Sequence, residues 1–359
     1  MKKPKILFIQ TLNAATVFHR IYQFLPYLRK EFDVAFFDHW DPKLQTTCYW
    51  ESKLRTDEKL IKTFTALLNN TQLVVMQKIH TPEGLSLVKL IRGHTKIPLL
   101  METDDYFLGV NSDSPAFEVY KPGADASYWA LEQMRLSNGI ITSTKYLAKL
   151  YERFNGSIYV IPNGIDLKSF KGGDRNIRHT QSKCNLERPG ASVPPLLGWC
   201  GSCTHTSDLE ILIPIIEHFK DVRFYFWGGL PEFIKGENVT VDTEWVSIDQ
   251  YFKKLRSLKF DIGLAPIRDN EFNRAKSNLR WLEYSALGIP TVASNVEPYR
   301  RTTALLANNK EGWIRHLEKL IKNSNYRKEL GARSYKTIET YFDTPVVTKK
   351  YAETLRRFL

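Results

Sequence analysis

The sequence predicts an α/β protein built from two Rossmann-like halves that face each other across a cleft. Three observations carry that expectation. Short apolar runs alternate with helical stretches in both the first and the last portions of the chain. Between them, 168–195 turns to Gly, Pro, Lys and Arg and reads as a linker. Finally, Phe272–Ser294 (FNRAKSNLRWLEYSALGIPTVAS) runs from a basic, amide-rich loop through a helix into a short strand. At 359 residues the chain is long enough for two ordinary domains and too short for three.

In order, Lys5–Gln10 is predicted as a strand, Thr16–Lys30 as an amphipathic helix and Asp33–Phe37 as a second strand, a βαβ opening. The turn Thr11-Leu12-Asn13-Ala14-Ala15 carries the chain from sheet to helix. Runs at Thr71–Gln77, Ile97–Met101, Gly139–Ser143 and Ser157–Ile161 complete a sheet of about six strands. Pro162-Asn163-Gly164 then closes this half: proline ends the strand, and Asn-Gly permits a sharp turn. In the second half Leu196–Cys200, Val222–Trp227, Val239–Val241 and Asp261–Pro266 are strands, and Leu209–Phe219 and Ile248–Leu258 are helices. The helix beginning near Leu279 buries Leu279, Leu282 and Leu287, stops at Gly288-Ile289-Pro290, and feeds a strand at Thr291-Val292-Ala293.

Composition narrows the function classes. Fifty-one Lys+Arg against thirty-nine Asp+Glu give a net charge of +12, which favours acidic partners: nucleotide phosphates, an anionic membrane surface or nucleic acid. No apolar run approaches the roughly 20 residues of a membrane-spanning helix. The opening KILFIQ reads as a buried strand rather than a signal peptide, so the expected location is cytoplasmic, with peripheral membrane contact left open. Four cysteines are too few for a disulfide scaffold. Trp199-Cys200-Gly201-Ser202-Cys203 looks like a thioredoxin-type CxxC, and equally like a strand followed by a glycine turn; the redox reading stands as the minor one.

A loop of donors feeding a helix N-terminus suits an anion, because unpaired N–H groups and the helix dipole point at it. A carboxylate a turn further on, here Glu283, can accept hydrogen bonds from ribose hydroxyls. Phosphate plus ribose means a nucleotide. This segment resembles the donor-site signature of the family-4 retaining glycosyltransferases of the GT-B fold, including the intact tail SALGIPTVAS. Val160-Ile161-Pro162-Asn163-Gly164-Ile165-Asp166 is a second point of resemblance. Of the family's two motif glutamates the second falls on Glu283; the first falls on Ala275 and the intervening glycine on Asn278.

The resemblance implies an N-terminal acceptor-side domain at 1–167, a linker at 168–195, a nucleotide-sugar domain at 196–341, and a last helix at 342–359 that crosses back. It implies a retaining, metal-independent enzyme using a nucleotide-diphosphate sugar, a UDP-sugar first, with no bound cofactor. Arg274 and Lys276 are expected to clamp the diphosphate, with backbone donors at Ser277, Asn278 and Leu279. Glu283 would hold the ribose, Gly201 and Ser202 would let the chain approach the donor, and Trp245 and Val246 would hold the base. On the acceptor side Asp104 and Asp105 would act beside the transferred sugar, although adjacent aspartates also suit a metal or a turn cap. His19 and Arg20, with Thr11 and Asn13 of the first turn, would face the cleft. The acceptor is expected to be a surface glycan or glycolipid. The alternatives are hydroxylated bases in DNA, a non-catalytic nucleotide-binding relative, and the redox protein using Cys200 and Cys203.

Overall fold

The computed structural model describes residues 2–10, 15–38, 58–77, 79–114, 116–171, 194–202, 206–229 and 231–359. Two six-stranded sheets organise them. The first comprises β1 (Lys5–Gln10), β2 (Asp33–Asp38), β3 (Thr71–Gln77), β4 (Leu99–Thr103), β5 (Gly139–Thr142) and β6 (Ile158–Val160), ordered β2-β1-β3-β4-β5-β6. The second comprises β7 (Leu196–Gly201), β8 (Arg223–Gly228), β9 (Val239–Asp242), β10 (Ile262–Ala265), β11 (Thr291–Ser294) and β12 (Leu305–Ala307), ordered β12-β11-β10-β7-β8-β9. All recorded strand pairs are parallel.

A parallel sheet covered on both faces needs continuous apolar strands rather than alternating ones. That is what β1 and β3 supply: Ile6, Leu7, Phe8 and Ile9, and Leu73 through Met76, are all fully buried. Leu7, Ile9, Val74 and Met76 pack on one face, and Ile6, Phe8, Leu73 and Val75 on the other. The second face is closed by the last helix, Thr344–Arg356, through Val347, Tyr351, Ala352 and Leu355. The chain enters that helix beside the Asn163-Gly164 turn. Ile165 N donates to Phe342 O at 2.8 Å and Thr344 N to Ile165 O at 3.1 Å. Gln23 ties the junction together, donating to Gly164 O and accepting from the Thr344 hydroxyl.

Two predicted helices are interrupted for one physical reason. Instead of a single helix over Thr16–Lys30, the chain forms Ala15–Arg20, a 3₁₀ turn at Tyr22–Phe24, and Leu25–Leu28. Pro26 has no N–H for a continuous ladder, and it sits in the first turn of the new helix, where none is required. Pro214 does the same to Leu209–Phe219, which becomes Thr206–Leu209, a 3₁₀ turn and Ile213–His218. The segment expected to be a basic loop contains a short helix, Glu271–Ala275, capped by the Asn270 side chain accepting from Asn273 N. The strand β12 had no counterpart in the sequence reading. Most of the proposed linker, 172–193, lies outside the described residues.

Candidate active site

The carboxyl ends of the two sheets face a cleft of about 740 Å³. In the second sheet the strand order reverses between β10 and β7, the place where open parallel sheets leave a crevice for ligands. Gly201 and Ser202 line the cleft from the end of β7, and Pro266 and Ile267 follow β10. The glycines here are sterically required. A Cβ on Gly201 would lie 2.4 Å from the Trp199 ring, and one on Gly228 (φ +124°) would lie 1.8 Å from the Gly201 carbonyl oxygen.

The helix Leu279–Ala286 brings Arg280 and Glu283 into the cleft one turn apart. Glu283 is 2% exposed, held by Arg280 Nη1 at 2.9 Å and by the Tyr251 hydroxyl at 3.1 Å, both on Oε2. Burial raises the Glu283 carboxyl against the pull of Arg280 and Tyr251. Burial likewise opposes the Arg280 charge, but Cys200, Tyr251 and Glu283 around it outweigh that and keep the guanidinium protonated. The same Nη1 also reaches Cys200 Sγ at 3.1 Å, so the fork is fixed on its inner side. Lys276 lines the cleft beside it, its ammonium weakened by burial and partly sustained by Asp105, Asp208 and Asp104. Leu279 and Ser277 complete this wall, and Asn278 stands at the helix N-cap position without a side-chain cap bond.

Arg274 is a correction. Its guanidinium pairs with Asp269 through Nε at 2.6 Å and Nη2 at 3.1 Å, and it does not line the cleft. The short helix Glu271–Ala275 turns Arg274 to the surface while burying its neighbours Asn273 and Ala275. Arg280, three residues before Glu283 on the same helix, lines the cleft instead. That spacing was a signal available in the sequence, because residues i and i+3 share a helix face.

Across the cleft stand Asp104 and Asp105, just beyond β4, with Thr16 and His19 from the first helix. His19 is 3% exposed, and its Nδ1 has no hydrogen-bond partner. Burial, then the charges of Arg20 and Arg280, lower its pKa to about 3, so the imidazole is neutral near pH 7. It can orient a ligand through its one N–H or its bare nitrogen but carries no positive charge at that pH. Arg20 is a second correction. It is fully buried, donates to Glu102 Oε1 at 2.6 Å, and does not line the cleft. Among the described residues no group of three or more His, Cys, Asp and Glu is placed to hold a metal ion. Thr11 and Asn13 lie outside the described residues.

At the far end Trp245 forms an exposed lip and Val246 a lining contact. Beneath them Trp227 stacks on Tyr251 at 5.1 Å between ring centroids and donates from Nε1 to Glu244 O. Nothing local in the sequence marked Trp227 or Tyr251, since β8 and the helix Ile248–Ser257 meet only in the folded domain. The redox reading of Cys200 does not suit this structure. The thiol is fully buried within β7, and burial pushes its pKa up, the opposite of a reactive thiolate. Cys203 lies outside the described residues.

The fold and this cleft define a GT-B architecture: two Rossmann-like domains with a cationic, carboxylate-bearing crevice between them. The profile of a family described as glycosyl transferase-like matches residues 210–348. Solved structures resemble the whole chain. One is a glycosyltransferase from Rickettsia africae, 14% identical, TM-score 0.63, covering 100% of this chain and 99% of that one. An Escherichia coli trehalose-6-phosphate protein bound with UDP-2-fluoro glucose is 13% identical, TM-score 0.66, with 99% of each chain covered. A UDP-forming α,α-trehalose-phosphate synthase from Burkholderia xenovorans is 12% identical, TM-score 0.65, again over 99% of each. No curated protein sequence matches significantly. The chain has the GT-B fold, and the glycosyl transferase-like match falls within its second half. No helix among its described residues is long and apolar enough to cross a membrane.

Proposed function

We propose that this chain transfers a sugar from a UDP-sugar to an acceptor hydroxyl with retention of anomeric configuration and without a metal ion. The observation that carries the reading is the convergence of Lys276 and Arg280 with the buried Glu283 at the sheet's switch point. Departure of the diphosphate concentrates negative charge on its oxygens, and fixed cations in a partly enclosed cleft stabilise that charge most where it develops. Lys276 and Arg280 serve this role, assisted by the N-terminus of the helix Leu279–Ala286. The second oxygen of Glu283 receives the ribose hydroxyls, because Oε2 is already engaged. Trp245, Val246 and the Trp227–Tyr251 stack hold the base end. The uridine diphosphate in two of the similar proteins' descriptions supports the choice of nucleotide.

The acceptor enters over Asp104, Asp105 and neutral His19, which orient its hydroxyl and favour positive charge at the anomeric carbon. The bond from that carbon to the phosphate oxygen breaks, and the acceptor oxygen bonds to the same face. The acceptor proton passes to the departing diphosphate. The acceptor itself is a glycan or glycolipid hydroxyl in this reading, in keeping with the net charge of +12 and a preference for anionic surroundings. Incubation with a panel of nucleotide-sugars, reading nucleotide release and the anomeric configuration of the product, tests it. UDP release with an α-linked product from an α-linked donor is the expected result. Release that stops with chelator and returns with Mn²⁺ refutes the metal-free scheme.

A further inference from the structure

A buried polar chain leads from the first domain into the donor wall. Arg20 and Glu102 are 0% and 1% exposed, and Asn163 is 3% exposed. Arg20 Nε donates to Glu102 at 2.6 Å, and its Nη1 donates to Ile161 O at 2.8 Å and to Asn163 Oδ1 at 2.7 Å. Asn163 Nδ2 donates to Ser277 Oγ at 2.8 Å, across to the second domain. The direction of this chain follows from the donor inventory. A guanidinium can only donate, so the amide must turn its oxygen to Arg20 and its NH₂ to Ser277. Ser277 Oγ is therefore used as an acceptor, and its own O–H is left to donate.

Ser277 lines the cleft directly after Lys276, at the start of the turn entering the Leu279–Ala286 helix. The loop's other end is also held by the first domain. Thr144 Oγ1 donates to Ala275 O at 3.0 Å, and the Ala275 side chain is fully buried in that domain's core cluster. We propose that Arg20 and Asn163 are positioning residues that reach over from the first domain and fix the Ser277 hydroxyl as a hydrogen-bond donor to the leaving diphosphate. Donor affinity is then set by both domains together, and the Asn163-Gly164 turn is part of the donor site although it belongs to the opposite half.

This rests on the UDP-sugar reading above, and the experiment separates the two. UDP affinity is measured by calorimetry on the full chain for the wild type, S277A, N163A and the double variant. Each single variant weakens UDP by about 5-fold, and the double variant by about the same 5-fold, because both remove one oriented donor. Losses that multiply toward about 25-fold overturn the relay, as does an N163A protein that melts earlier but binds UDP as well as the wild type. If N163A does not fold, S277A alone decides: unchanged UDP affinity overturns the proposal. A wild type that fails to bind UDP overturns the functional reading, and the relay with it.

Discussion

Replacing Arg280 with Met removes a guanidinium whose inner side is locked by Glu283 at 2.9 Å, Cys200 at 3.1 Å and Tyr251 at 3.3 Å. A side chain so constrained loses little freedom when a phosphate arrives, so its charge-assisted contact is realised nearly in full. Such contacts contribute about 1.5–3 kcal/mol, which is about a 10- to 150-fold loss in UDP affinity. Arg280→Lys keeps the charge but not the planar fork, and falls between Met and the wild type. The matching control is Arg274→Ala, on the preceding short helix but committed to Asp269 at the surface. Its UDP affinity stays within about 2-fold of wild type, as for exposed ion pairs generally. Calorimetric titration of UDP at two salt concentrations reads all four proteins. Because Met leaves Glu283 without its partner, thermal melts accompany each titration. If R274A weakens UDP and R280M folds and binds normally, Arg274 rather than Arg280 holds the phosphate and the reasoning fails.

Other outcomes follow from the same geometry. His19 titrates near 3 in the folded protein against about 6.5 unfolded, so the unfolded chain takes up the proton first as pH falls. Its burial therefore costs stability below pH 6.5, about 2 kcal/mol by pH 5, and His19→Gln should flatten that acid limb in denaturant titrations. An equally steep limb in the variant refutes it. Gly331→Ala should lower stability by about 1–3 kcal/mol or more in calorimetric melts, since its Cβ would lie 1.9 Å from the Gly288 carbonyl oxygen. Tyr251→Phe keeps the Trp227 stack but removes one hydrogen-bond partner each from Glu283 and Arg280, and should raise the UDP dissociation constant about 5-fold with little change in melting temperature. Cys200 should resist alkylation in the native protein and react only on unfolding; rapid native labelling is incompatible with its burial.

The amino-acid sequence by itself determined the two-domain α/β plan. Continuous apolar runs such as KILFIQ and TQLVVMQ can be satisfied only by strands covered on both faces, a local property of composition and length. It also determined the helix carrying Glu283 and its stop at Gly288, which takes φ +69°, because periodicity and a left-handed cap are both written locally. Pro26 and Pro214 are visible too: periodicity alone predicts a continuous helix at each, while the missing N–H marks the new start that the structure has. What only the tertiary structure decided is which arginine lines the cleft. The i,i+3 spacing of Arg280 and Glu283 favours Arg280 locally, but the loss of Arg274 to solvent comes from a five-residue helix capped by Asn270 that pairs it with Asp269. The same holds for Arg20, which became a buried partner of Glu102 and Asn163 rather than an acceptor contact. Burial and pairing depend on what lies 82 or 143 positions away in the chain, and no local pattern encodes distances of that kind.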